Sequence, residues 1–100
     1  TLPAFDRARY KIDKLKEERR DLWIRIDTLR YRVRDANKFI VLRHALRGVF
    51  DVDHLLDEDL KGLVRLYLRA RRLTEEIEHL QELRQKRKQR ELAAMLARWE

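Results

Sequence analysis

Residues 5–36 read FDRARYKIDKLKEERRDLWIRIDTLRYRVRDA, and their spacing decides the fold. Phe5, Ala8, Ile12, Leu15, Arg19, Leu22, Ile26, Leu29, Val33 and Ala36 recur at alternating steps of three and four, and all but Arg19 are apolar. A repeat averaging ~3.5 residues keeps one edge of a helix facing one direction, the geometry of coiled-coil packing. Pro3 belongs at a helix start, and no Gly or Pro follows it before Gly48. The reading is a single helix over about residues 4–36, roughly 45–50 Å long at ~1.5 Å per residue. Arg19, a lone cation in the seam, snorkels or meets a carboxylate across the interface and so helps to fix register.

After Ala36 the apolar phase slips to Phe39, Ile40, Val41, Leu42, Ala45 and Leu46, which places a turn at Asp35-Ala36-Asn37. A short helix over about 38–47, stopped by Gly48, follows. Asp51, Asp53, Asp57, Glu58 and Asp59 crowd the start of a third helix, where carboxylates cap free N–H groups. Leu56, Leu60, Leu63, Tyr67, Ala70, Leu73, Ile77 and Leu80 then carry a returning seam, with Gly62 marking a close helix contact. That helix spans about 54–98 and is open to a break near 84–91, a stretch with no apolar side chain. Leu92, Met95, Leu96 and Trp99 form a closing patch. The fold expected is one all-α domain over residues 1–100. It is a long antiparallel helical hairpin with a short intervening helix, a coiled-coil-like bundle completed by homo-oligomerisation. The dimer or higher-oligomer interface expected is the seam itself (Phe5, Ile12, Leu15, Arg19, Leu22, Ile26, Leu29 and Val33) joined by Trp23 and Tyr31.

Trp23 and Tyr31 belong to a second stripe with Tyr10 and Ile24, on the side of the helix away from the seam. Burial against another helix or subunit is the expected use of that stripe. Stacking on nucleic-acid bases among Arg25, Arg30, Arg32 and Arg34 is the alternative.

The chain carries 25 Lys and Arg against 18 Asp and Glu, a formal net charge of +7. Residues 1–50 hold 14 cations and 7 acids, whereas residues 51–100 hold 11 of each. Arg7, Arg9, Lys11, Lys14, Lys16, Arg25, Arg30, Arg32 and Arg34 therefore form a basic ridge if the first helix pairs with a copy, with Lys11, Arg25, Arg30, Arg32 and Arg34 as its candidate phosphate contacts. The densest cluster is Arg84, Lys86, Arg87, Lys88 and Arg90. Both draw phosphates by an electrostatic, sequence-independent route.

Several chemistries are excluded or unsupported. The absence of cysteine rules out disulfides and thiolate metal sites. His44, His54 and His79 show no metal-ligand spacing, and Asp51 to Asp59 lacks the turn glycine and distal glutamate of a calcium loop. No Ser or Cys nucleophile and no Gly-rich phosphate loop is present. No metal and no cofactor is expected. No apolar run approaches the ~20 residues that span a bilayer, and Thr-Leu-Pro-Ala-Phe-Asp does not read as a secretory signal. The expectation is a cytoplasmic protein with no membrane partner. The lack of Ser, with 18 Arg against 7 Lys, one Asn and one Met, suits a hot-living source.

The order long helix, short helix, long helix, paired into a dimer, resembles the small all-helical chorismate mutases. That resemblance implies a dianion site using Arg9, Arg25, Lys38 and Gln81 or Gln85. The second helix departs from the pattern, with Arg43-His44 where the family carries an Arg–Glu pair. The function expected is instead non-enzymatic association with nucleic acid through Arg and Lys contacts to phosphate, in an architectural, packaging or accessory role. A protein–protein adaptor docking another helical protein is the alternative.

Overall fold

The computed structural model describes residues 4–99, with side chains from residue 7 onward, so Phe5 lies outside the described side chains. Three helices run α1 (Ala4–Arg30), α2 (Ala36–Leu46) and α3 (Glu58–Trp99), with a single 3-10 turn at Val52–His54. There is no strand among the described residues. The 42 residues of α3 span about 63 Å at ~1.5 Å per residue, and they set the 65 Å long axis of the molecule.

α1 and α3 lie antiparallel. Leu29 stands over Gly62, Trp23 meets Tyr67 edge to face at 5.8 Å, and Arg19 Nη1 donates to Thr74 Oγ1 at 3.3 Å. Ala8 shares a recess with Leu80, Leu83, Arg84 and Arg87. The spacing-predicted edge is the buried one: Ile12, Leu22, Ile26 and Val33 are each at most 3 % exposed. What covers it is the chain's own third helix. Ile26 and Val33 pack in one cluster with Leu60, Leu63, Val64 and Ala70 of α3 and Leu42 and Ala45 of α2. The seam that the spacing assigns to a second copy is thus filled from within the chain. Arg19 meets a threonine hydroxyl of α3 in the same chain, not the carboxylate expected across an interface.

The element boundaries differ from the sequence reading in three places. α1 ends at Arg30 instead of running to residue 36. Asp35 Oδ1 accepts from the Asn37 N–H at 2.9 Å and caps α2, so the chain turns just before it. Arg32 N–H to Leu29 O and Val33 N–H to Arg30 O tighten the exit, and Val33 swings into the core from the connector. α2 accordingly starts two residues early, and α3 starts at Glu58, later than 54, because Asp57 is its cap.

Thirdly, α3 does not break at residues 84–91. Arg, Gln, Lys and Glu are all good helix formers, and Lys86 Nζ lies 3.3 Å from Glu82 Oε1 one turn back. The helix needs no seam there.

The end of α2 follows the glycine rule as read. Gly48 has φ +76° and its N–H donates to Ala45 O, while the Val49 N–H reaches back to His44 O, a Schellman closure. Arg71 Nη1 donates to Leu46 O at 3.0 Å and ties that end to α3. Gly62 is different, because its backbone is ordinary helix and a Cβ there would meet Leu29 Cδ2 at 3.4 Å, a normal contact. Gly62→Ala is therefore expected to raise stability by about 0.5–1 kcal/mol through helix propensity, read as a higher urea midpoint. A lower midpoint means that α1 and α3 approach too closely to admit the methyl.

Asp57 ties α2 to α3. Its Oδ1 accepts from the Leu60 N–H at 3.1 Å, and its other oxygen pairs with Lys38 Nζ of α2 at 2.5 Å. The hydrogen bond from Lys38, then that from Leu60, holds its carboxyl below the ordinary aspartate range. Asp53 is lowered likewise by Arg65, 2.7 Å away. A depressed carboxyl stabilises the fold above its unfolded pKa, and that contribution fades as the pH falls through the folded value. Melting temperature is therefore expected to drop below about pH 4. Asp57→Asn, which keeps a cap but no charge, should flatten that acid limb; an unchanged limb would show that the pair contributes nothing.

Candidate nucleic-acid interface

The ten cations picked out from the sequence do not form one ridge. Arg25, Arg30, Arg32 and Arg34 gather at the elbow where α1 gives way to α2. Lys11, Arg84, Lys86, Arg87, Lys88 and Arg90 gather at the other end of the hairpin, roughly 35–40 Å along α3. Between them, residues 70–82 hold Glu75, Glu76, Glu78 and Glu82 against Arg71 and Arg72. The rod is basic at its ends and mildly acidic in the middle.

Among the described residues, α3 extends past α1 at the far end. Ala8 is level with Leu80 to Arg87, so Ala4, the first residue of α1, lies about one turn further on. α3 then continues to Trp99, and every residue from Gln85 to Trp99 is exposed. Residues 84–99 carry six cations and one acid, Glu91, a net of +5 on a helix standing clear of the hairpin. At ~100° per residue, Arg84, Lys86, Arg87, Lys88 and Arg90 wind around the helix instead of lining one face. Arg84 is half-buried and Lys86 faces Glu82; Arg87, Lys88 and Arg90 are exposed. Beyond them Leu92, Met95, Leu96 and Trp99 share one face, with exposures of 56 to 86 %.

The aromatic stripe expected to be buried is exposed throughout. Trp23 touches Tyr67 edge to face but stays 43 % exposed, and Tyr10 and Ile24 are exposed on α1. Tyr31 is not on the helix at all. It sits in the turn after Arg30 and is 73 % exposed, with the Arg34 guanidinium 4.3 Å above its ring. Arg30 lies over Phe39 of α2 at 5.7 Å. Asp27, Arg30, Tyr31, Val33, Arg34 and Phe39 together line a recess of about 440 Å3. Phe39 and Asp27 were not singled out from the sequence. The signal that reveals them is the Asp35 cap, which ends α1 early and folds Phe39 back beside Arg30.

The residues implied by the chorismate-mutase resemblance do not converge within the chain. Lys38 is engaged by Asp57 beside the start of α3. Gln81 and Gln85 lie on α3 more than 20 residues further on, at least ~35 Å away along the helix. Arg9 and Arg25 are similarly separated along α1, by about 24 Å. Among the described residues no three His, Cys, Asp or Glu side chains gather to hold a metal ion, and no helix is long and apolar enough to cross a membrane.

In comparisons with protein-family models, with curated proteins and with solved structures, nothing matches this chain.

Proposed function

We propose that the protein is a non-enzymatic helical hairpin that associates with nucleic acid through phosphate contacts. The observation supporting this reading is the net +5 of residues 84–99 on the part of α3 that stands clear of the hairpin. Cations distributed around a projecting helix meet phosphates on both sides of a groove and release condensed counterions. They read little of the base sequence, because phosphate contacts position a protein without specifying a site.

Titration of fluorescent duplex DNA and single-stranded RNA across a salt series tests this. With about four contacts, affinity should fall roughly 100-fold between ~50 and ~200 mM salt, with weak sequence preference. Failure of both nucleic acids to bind at ~50 mM salt ends the proposal.

A second reading, docking of another helical protein, has its own support. Leu92, Met95, Leu96 and Trp99 follow the i, i+3, i+4, i+7 spacing by which an amphipathic helix enters an apolar groove, and all four are exposed. Leu96→Asp separates the two, since it removes helix docking and leaves phosphate attraction nearly intact.

A further inference from the structure

The tract on α3 explains attraction to phosphate but leaves the opposite end of the molecule without a use. There the chain has made a recess of about 440 Å3, within the ~300–1,000 Å3 range of small-ligand sites. Its walls combine two guanidiniums, two aromatic rings and one carboxylate. Resting on the nucleic-acid reading above, we propose that this elbow recess holds one nucleotide unit, its base stacked on Tyr31 and its phosphate bound by Arg30 and Arg34.

Four observations converge on that ligand. First, Tyr31 lies in the connector after α1, so its ring escapes the crowding of helical neighbours. With 73 % of the residue exposed, and Arg34 on one ring face, the remaining surface is open to a planar partner. Every base has a π-face, so stacking of this kind tolerates any sequence.

Second, both guanidiniums already lie beside rings, Arg34 with its Cζ 4.3 Å from the centre of the Tyr31 ring and Arg30 5.7 Å from that of Phe39. A guanidinium carries a fork of N–H donors that matches the oxygens of a phosphate. Cation–π attraction biases both donors toward the recess before any ligand arrives, which lessens the rotamer freedom lost on binding.

Third, Val33 is fully buried at the recess, which anchors the connector to the core between Tyr31 and Arg34. The two binding side chains thus flank a fixed point. Fourth, Asp27 is an acceptor-only group in the same wall. It is of no use to a bare phosphate and suits the amino group of a base. A simple anion would need neither the rings nor the carboxylate.

A base with an attached phosphate can come from a single strand or from a free nucleotide. The test therefore measures a labelled adenine-rich single strand of about ten nucleotides, a duplex of the same length, and AMP, against wild-type protein and Tyr31→Ala. Wild-type protein should bind the strand, and Tyr31→Ala should weaken it about tenfold or more while duplex affinity, carried from α3, changes little. Tyr31→Phe, which keeps the ring, should restore strand binding. Arg34→Ala should weaken the strand as well, and the exposed positions of both residues leave the melting temperature unchanged. Equal strand affinity in wild type and Tyr31→Ala overturns the elbow site while the α3 tract stands. Absence of binding to strand, duplex and AMP alike overturns both proposals. AMP shifting the Tyr31 ring signals in NMR spectra, with neither strand nor duplex bound, would keep the site, assign it to a free nucleotide and remove the nucleic-acid reading.

Discussion

Leu63→Ala is expected to cost about 3–4 kcal/mol, the largest loss of stability from a single truncation in this chain. Leu63 is fully buried and shares one cluster with Ile26 of α1, Val33 of the connector, and Leu42 and Ala45 of α2. These neighbours belong to different elements packed on α3, so the space left by three carbon atoms cannot close without moving one of them. The lost transfer energy and the cavity add together. A core this thin offers few other contacts in compensation, and a domain of this size has only about 5–15 kcal/mol of net stability. Urea unfolding followed by helix circular dichroism measures the loss. Leu92→Ala supplies the contrast: the same chemical change at a 56 % exposed position should move stability by no more than about 0.5 kcal/mol. A Leu63→Ala loss below about 1 kcal/mol would mean that the three-helix junction is not the centre of the fold.

That junction also shows what spacing can and cannot reveal. The three-four repeat from Ala8 to Val33 identifies the buried edge of α1 because periodicity fixes which side chains share a face. It says nothing about what covers the face. Leu63, Ala70 and Ile77 were visible as a second edge, and the eleven residues from Arg47 to Asp57 leave ample chain for an antiparallel return, so one copy closes its own seam. The helix end was harder to see. Nothing between Arg30 and Asp35 forbids a helix, and the long repeat favours continuing it. The local cap at Asp35 and burial of Val33 from the connector prevail over that continuity. With that one boundary moved, Tyr31 passes from the back of a helix to the rim of a recess. The basic residues at both ends were readable from composition. The acidic stretch between them lies in the sequence of α3 itself, and only the pairing of α1 cations with each end needs the two helices laid side by side.

Reversing three charges, Lys86→Glu, Arg87→Glu and Lys88→Glu together, is expected to abolish measurable binding to duplex DNA. The change moves the local charge by six, turning the net +5 of residues 84–99 into −1. Losing three phosphate contacts lowers the slope of log affinity against log salt by about 2.7, and the new repulsion deepens the loss at low salt. The fold should barely notice. Arg87 and Lys88 are exposed, glutamate is as good a helix former as lysine, and the i,i+4 repulsions gained, position 86 with Glu82 and position 87 with Glu91, are worth a few tenths of a kcal/mol each. A melting temperature close to wild type therefore accompanies the lost affinity, and this combination separates the outcomes. If duplex affinity and its salt slope persist in the folded variant, the α3 tract is only a solvated surface and phosphate binding must lie elsewhere. If binding disappears while single strands still engage Tyr31, the two ends of the rod are independent sites. The apolar face of Leu92, Met95, Leu96 and Trp99 remains whole in this variant, so a helical partner docked there would stay bound. Loss of duplex with retention of such a partner would show that one helix end serves both, with cations for phosphate and a separate stripe for protein.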